Sequence, residues 1–120
     1  MGKKIERFED LEVRRESMQL AGETYKQFHD LHDYGFRDQI QRAAVSVPSN
    51  IVEGYERRSN KGYIQFLYIA RGSCGELRTQ LYIAIEVSLI DKAQGIRLIE
   101  CTRKISAMLT RLIQTRRDKF

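Results

Sequence analysis

The sequence predicts an all-α protein, folded as an up-down-up-down antiparallel four-helix bundle. Three observations lead there. The 120 residues include a single proline, whereas a fold of many short strands needs a turn signal roughly every 8 to 12 residues. Apolar residues recur three and four positions apart over long stretches, which is the period of a helix with one buried face. The polar segments between those stretches are too short to cross a bundle, so each helix must run antiparallel to the next. The length suits one domain spanning residues 1–120.

The first helix is expected over residues 9–31. Leu11, Met18, Ala21, Tyr25 and Phe28 form its candidate apolar stripe, and Glu9 and Asp10 complement its N-terminal dipole. The run from His29 to Gly35 interrupts the pattern, and Asp33 is placed to cap the next helix. That helix, residues 36–57, carries Ile40, Ala44, Val47, Ile51 and Tyr55 on one face. Pro48 lies in its middle, removing an amide donor and crowding the carbonyl of Ala44, so a bend eased by Ser46, Ser49 or Asn50 is expected. A polar turn follows, with Ser59 or Asn60 as the next cap. The third helix, residues 61–88, repeats Tyr63, Leu67, Ala70, Cys74, Leu77, Leu81, Ala84 and Ser88 in unbroken steps of four and three. A second stripe of Phe66, Ile69, Ser73, Gln80, Ile83 and Val87 makes it apolar around most of its circumference, a helix that is buried or faces another subunit. Asp91 and Gln94 give a capping-box signature for the fourth helix, residues 92–116. Leu98, Cys101, Ile105, Met108, Leu109 and Leu112 mark its buried side.

Composition narrows the function. Lys and Arg number 21 against 16 Asp and Glu, a net charge of +5 that makes the surface attractive to polyanions. Cys74 and Cys101 lack the spacing of a zinc site and sit in helical apolar patterns, so buried reduced thiols are expected. The N-terminal stretch has no apolar run of a signal peptide and nothing approaches a membrane span, which points to a cytoplasmic protein with no membrane partner.

Basic residues gather in three places: Lys3, Lys4 and Arg7; Arg57, Arg58 and Lys61; and Arg111, Arg116, Arg117 and Lys119. In an antiparallel bundle all three fall at one end, forming a candidate nucleic-acid site whose alternative is a solvated charged surface. Arg42, Ser46, Asn50 and Glu53 rise beside the apolar stripe of the second helix, and Ser73 and Glu76 are spaced to meet them, with Arg42–Glu76 or Asn50–Ser73 as ties. Read as chemistry, Glu53 and Glu76 would be an acid-base or metal pair. Carboxylate-bridged metal bundles use a Glu-x-x-His motif, however, and neither His29 nor His32 has a Glu three residues before it. No catalytic residue, metal or cofactor is therefore expected. Gly72 and Gly75 inside a helix suggest close approach to the second helix, the competing phosphate loop lacking both its strand and its Gly-Lys-Ser/Thr.

The stretches YGFRDQIQRAAVSVPSNIVEG at residues 34–54, IARGSCGEL at 69–77 and FEDLEV at 8–13 resemble the 23S rRNA intervening-sequence proteins over nearly the whole chain. One departure is Arg14, where the family commonly has Trp. The resemblance implies a small bacterial bundle without an established enzymatic role, assembled as a homopentamer. It also implies similarity to the basic accessory proteins of diversity-generating retroelements, which associate with nucleic acid. Five copies at +5 each would carry about +25, concentrating charge for RNA or DNA. The alternative is a scaffold for another protein, with incidental charge.

Overall fold

The computed structural model describes residues 8–120. Four helices follow one another: α1 (Phe8–Gln27), α2 (Tyr34–Tyr55), α3 (Asn60–Glu86) and α4 (Lys92–Lys119). Each packs on its neighbours in sequence and α1 closes against α4, so the helices occupy the corners of a square. The resulting rod measures 51 × 22 × 18 Å. No helix among the described residues is long and apolar enough to cross a membrane.

The caps behave as their chemistry requires. Asp33 Oδ1 accepts from the Phe36 amide at 3.1 Å, Ser59 Oγ from Gly62 at 3.0 Å and Asp91 Oδ2 from Gln94 at 3.2 Å. Gln94 does not complete a capping box, because its side chain accepts from Arg97 instead. α3 ends two residues earlier than expected. Ser88 adopts φ 61°, the Leu89 amide donates to Ala84 O and the Ser88 amide to Ile85 O, a Schellman closure that takes Ser88 out of the seam. α1 also ends early, at Gln27, as the His29 amide turns back to Lys26 O. α2 runs through Pro48, and there the Asn50 amide group donates to the carbonyl and hydroxyl of Ser46 at 2.8 and 2.9 Å.

The third-helix seam from Tyr63 to Ala84 is fully buried, as its pattern predicts. In α4 the buried side is Leu98, Ile99, Ile105, Leu109, Leu112 and Ile113, with Cys101 and Met108 only half-buried at its margin. The Cys74 thiol donates to Thr102 O at 3.2 Å, and burial pushes its pKa up. Both cysteines are free.

Two expectations are corrected. Along α1 and the turn that follows it the buried face is Asp10, Val13, Ser17, Leu20, Ala21, Thr24 and Phe28, so Ala21 and Phe28 lie inside as expected, while Leu11, Met18 and Tyr25 are 48%, 61% and 47% exposed. The inner face lies about a quarter-turn from the expected stripe, because three of its seven positions, Asp10, Ser17 and Thr24, are polar. Gly72 and Gly75 are not contact points either, since a Cβ built on them meets nothing within 4 Å. The tight α2/α3 approach is at Gly54, where a Cβ would stand 2.7 Å from Phe66 Cβ and 3.2 Å from Tyr63 O.

Candidate nucleic-acid interface

Antiparallel winding brings the start of α1, the α2/α3 turn and the end of α4 together. Asn60 at the start of α3 donates to Arg116 O at 2.8 Å, and Asp10 of α1 pairs with Arg116 at 3.5 Å. Arg57, Arg58, Lys61, Arg111, Arg117 and Lys119 are exposed around this end. Lys3, Lys4 and Arg7 lie outside the described residues.

Arg116 is a correction to the expected binding set. Its side chain is 2% exposed and Asp10 is fully buried. Tyr63 reaches across the bundle to donate to Asp10 Oδ1 at 2.5 Å, and the Arg116 guanidinium lies 4.8 Å from the Tyr63 ring and 4.1 Å from the Phe120 ring. Burial, then the bond to Asp10, push the Tyr63 pKa far above its ordinary 10.0. This cluster ties α1, α3 and α4 together and shields the Arg116 guanidinium from solvent.

Counter-charges thin the remaining set. Arg57 pairs with Glu53 at 3.0 Å and covers Phe66, its guanidinium 4.5 Å from the ring, at the edge of an open pocket of about 820 Å³ that Glu56 and Arg58 also line. Arg111 shares a small cleft with Glu9 and Glu12. Arg58, Lys61, Arg117 and Lys119 make no ion pair among the described residues.

The polar set between α2 and α3 forms in part. Ser46 and Ser73 share a 2.8 Å hydrogen bond, and Asn50 joins it through Ser46. Arg42 and Glu76 line one cleft of about 190 Å³ without an ion pair, and Glu53 turns to Arg57. Among the described residues no three His, Cys, Asp or Glu side chains gather as a metal site.

A second basic surface, on α3 and α4, went unseen in the sequence. Arg117 donates to the Tyr68 hydroxyl at 3.0 Å, Arg71 to Thr110 at 3.0 Å, Arg78 to Thr102 and Ser106 at 2.9 and 2.7 Å, and Arg103 to the Tyr82 hydroxyl. The rungs climb α3 while descending α4, a ladder from Tyr68 to Tyr82 about 21 Å long at 1.5 Å per residue. None of its four arginines forms an ion pair with a carboxylate among the described residues. Isolated arginines at helical spacing look like an ordinary solvated face, so only the pairing of the two helices reveals the row.

Apolar side chains are also left outside. Arg14 stacks on Tyr55 and Gln41 donates to Tyr25 O, which fixes how α1 and α2 face each other. Leu11, Met18 and Tyr25 lie beside that seam on α1, and Val45 and Val52, on the Gln41 side of α2, flank it. On the outer side of α3, Ile69, Ile83 and Val87 are 47%, 46% and 56% exposed.

The fold is shared with a solved structure, a protein of unknown function from the S23 ribosomal protein family of Bacteroides thetaiotaomicron. It superposes with a TM-score of 0.84 at 24% identity, covering 90% of this chain and 100% of that one. No curated protein matches. The model of the 23S rRNA-intervening sequence protein family matches residues 9–111, from the first turn of α1 well into α4, and the chain belongs to that family.

Proposed function

We propose that this protein is a non-catalytic, ring-forming helical bundle of the bacterial cytoplasm that binds nucleic acid through phosphate contacts. The observation that carries the reading is the set Arg58, Lys61, Arg117 and Lys119, exposed at one end with no ion-paired carboxylate among the described residues. Such cations bind phosphate by releasing condensed counterions, without reading sequence. Self-assembly is supported by the two apolar patches, on α1/α2 and on outer α3. Two different patches suit a head-to-tail contact, the kind that closes rings, and a homopentamer is the ring proposed. Assembly multiplies the +5 of each copy.

The test is anisotropy of fluorescent rRNA fragments titrated with protein across a salt series. The affinity should fall steeply with salt, and the variant Arg58→Gln/Lys61→Gln/Lys119→Gln should bind more weakly with a shallower slope. Absence of binding by the natural protein at low ionic strength removes the nucleic-acid role and leaves a protein scaffold. A Met18→Glu variant should lower the assembled mass, and an unchanged mass takes α1 out of the interface.

A further inference from the structure

We infer that the α3/α4 ladder grips an unpaired nucleic-acid strand, with Tyr68 and Tyr82 stacking on bases and Arg71, Arg103 and Arg117 holding phosphates. The inference rests on the proposed nucleic-acid role and adds to it the strand type and the surface.

The first argument is charge. Five arginines off the ladder stand against carboxylates, Arg15 with Glu12, Arg37 with Asp38, Arg57 with Glu53, Arg97 with Glu23 and Arg116 with Asp10, whereas Arg42 and Arg58 make no ion pair among the described residues. Along the ladder the partners are hydroxyls, which orient a guanidinium and leave its charge intact. Glu100, one turn before Arg103, and Asp118, next to Arg117, form no ion pair with them. A fixed, unneutralised guanidinium has already lost much of the side-chain freedom that anion binding would otherwise remove.

The second argument is shape. Tyr68 and Tyr82 are 41% and 47% exposed, although each is anchored at its hydroxyl. The Arg71 guanidinium lies over one face of the Tyr68 ring, 4.9 Å from its centroid, so a base can stack on the outer face of the guanidinium or on the part of the ring that stays exposed. Alternating rings and cations along a groove are what a single strand needs, because its bases are free to stack and its backbone is charged throughout. A duplex keeps its bases stacked on one another and would use only the arginines. Arg78, half-buried and bonded to Thr102 and Ser106, is a positioning residue that holds the two helices in register.

The chain contains six Tyr and no Trp, so tyrosine emission is read free of tryptophan, and the part of any quenching that is lost in Tyr68→Phe/Tyr82→Phe belongs to these two rings. The experiment uses the whole protein with fluorescein-labelled oligo-uridine, oligo-deoxythymidine and a duplex of equal length. Either single strand should bind more tightly than the duplex and quench tyrosine emission. Tyr68→Ala/Tyr82→Ala should weaken strand binding at least tenfold, given typical stacking losses, and leave duplex binding unchanged. Tyr68→Phe/Tyr82→Phe keeps the rings and should retain most of the affinity. Arg71→Gln/Arg103→Gln should lower the single-strand salt slope by about 1.4. Unchanged strand affinity in the alanine pair, with folding checked by circular dichroism, overturns the inference, and so does tighter binding of the duplex. Polyglutamate binding as well as oligo-uridine would also overturn it, marking a surface for acidic protein. Loss of binding in the Arg58/Lys61/Lys119 variant with none in the ladder variants rejects the ladder and keeps the proposed function. No binding of any probe by the natural protein rejects both.

Discussion

Breaking the buried Asp10–Arg116 pair should cost far more than removing any surface charge. The two side chains are 0% and 2% exposed and stand 3.5 Å apart. At an effective dielectric of about 20 their attraction is about 5 kcal/mol. Desolvating both ions offsets most of that, so the pair as a whole adds little over an apolar substitute, but deleting one member strands charge in the core. Asp10→Ala should therefore lose about 3 kcal/mol, the low end for buried pairs, because Arg116 also packs on Phe120. Arg116→Met should lose a similar amount. The triple change Asp10→Leu/Tyr63→Phe/Arg116→Met, which removes the Tyr63 hydroxyl that bonds Asp10, should recover to within about 1 kcal/mol of the natural protein. Thermal unfolding followed by circular dichroism at one fixed protein concentration measures this, the concentration being held because assembly adds to stability. A loss of about 3 kcal/mol lowers the midpoint by roughly 12 °C at this chain length. Single variants within about 1 kcal/mol of the natural protein, or a triple variant worse than both singles, would refute the reasoning.

Gly54→Ala should cost about 1–3 kcal/mol by overpacking against Phe66 and the Tyr63 carbonyl. Gly72→Ala, which meets nothing, should add up to about 1 kcal/mol in urea unfolding of the protomer. Ser88→Gly should raise stability by about 1 kcal/mol, since a left-handed φ of 61° is costly for a residue with a Cβ. Tyr63 sets an alkaline limit. Its folded pKa is raised above 10.0, so its contribution is complete below that pH and is lost as pH rises above it toward the folded value. Denaturant unfolding compared at about pH 9 and about pH 11 should show a larger drop for the natural protein than for Tyr63→Phe.

How much of this was legible in the sequence varied from helix to helix. The α3 seam could be read residue by residue because seven successive inner positions from Tyr63 to Ala84 are apolar or small. α1 could not. Asp10, Ser17 and Thr24 occupy inner positions, Asp10 answered by Arg116 and Tyr63 and Ser17 by the Arg14 carbonyl, and those partners are set by tertiary or local geometry that a hydrophobic stripe does not contain. An apolar stripe drawn through Ala21 and Phe28, which are buried, therefore runs on to Leu11, Met18 and Tyr25, which stay outside. The candidate site divides the same way. Topology alone placed the basic ends together, but which cations keep their charge depended on where Glu53, Asp10, Glu9 and Glu12 fell. Arg116 sits among exposed arginines in sequence, and only its burial separates it from Arg117.

Light scattering of the eluting protein, with absorbance read at the nucleic-acid and protein maxima and an unlabelled single strand added at low salt, tests the account most directly. It predicts a protein mass several times that of the 14.1 kDa chain, with the strand's mass added in the same peak at low salt and lost from it at high salt. A 14.1 kDa species eluting apart from the strand at low salt would contradict it.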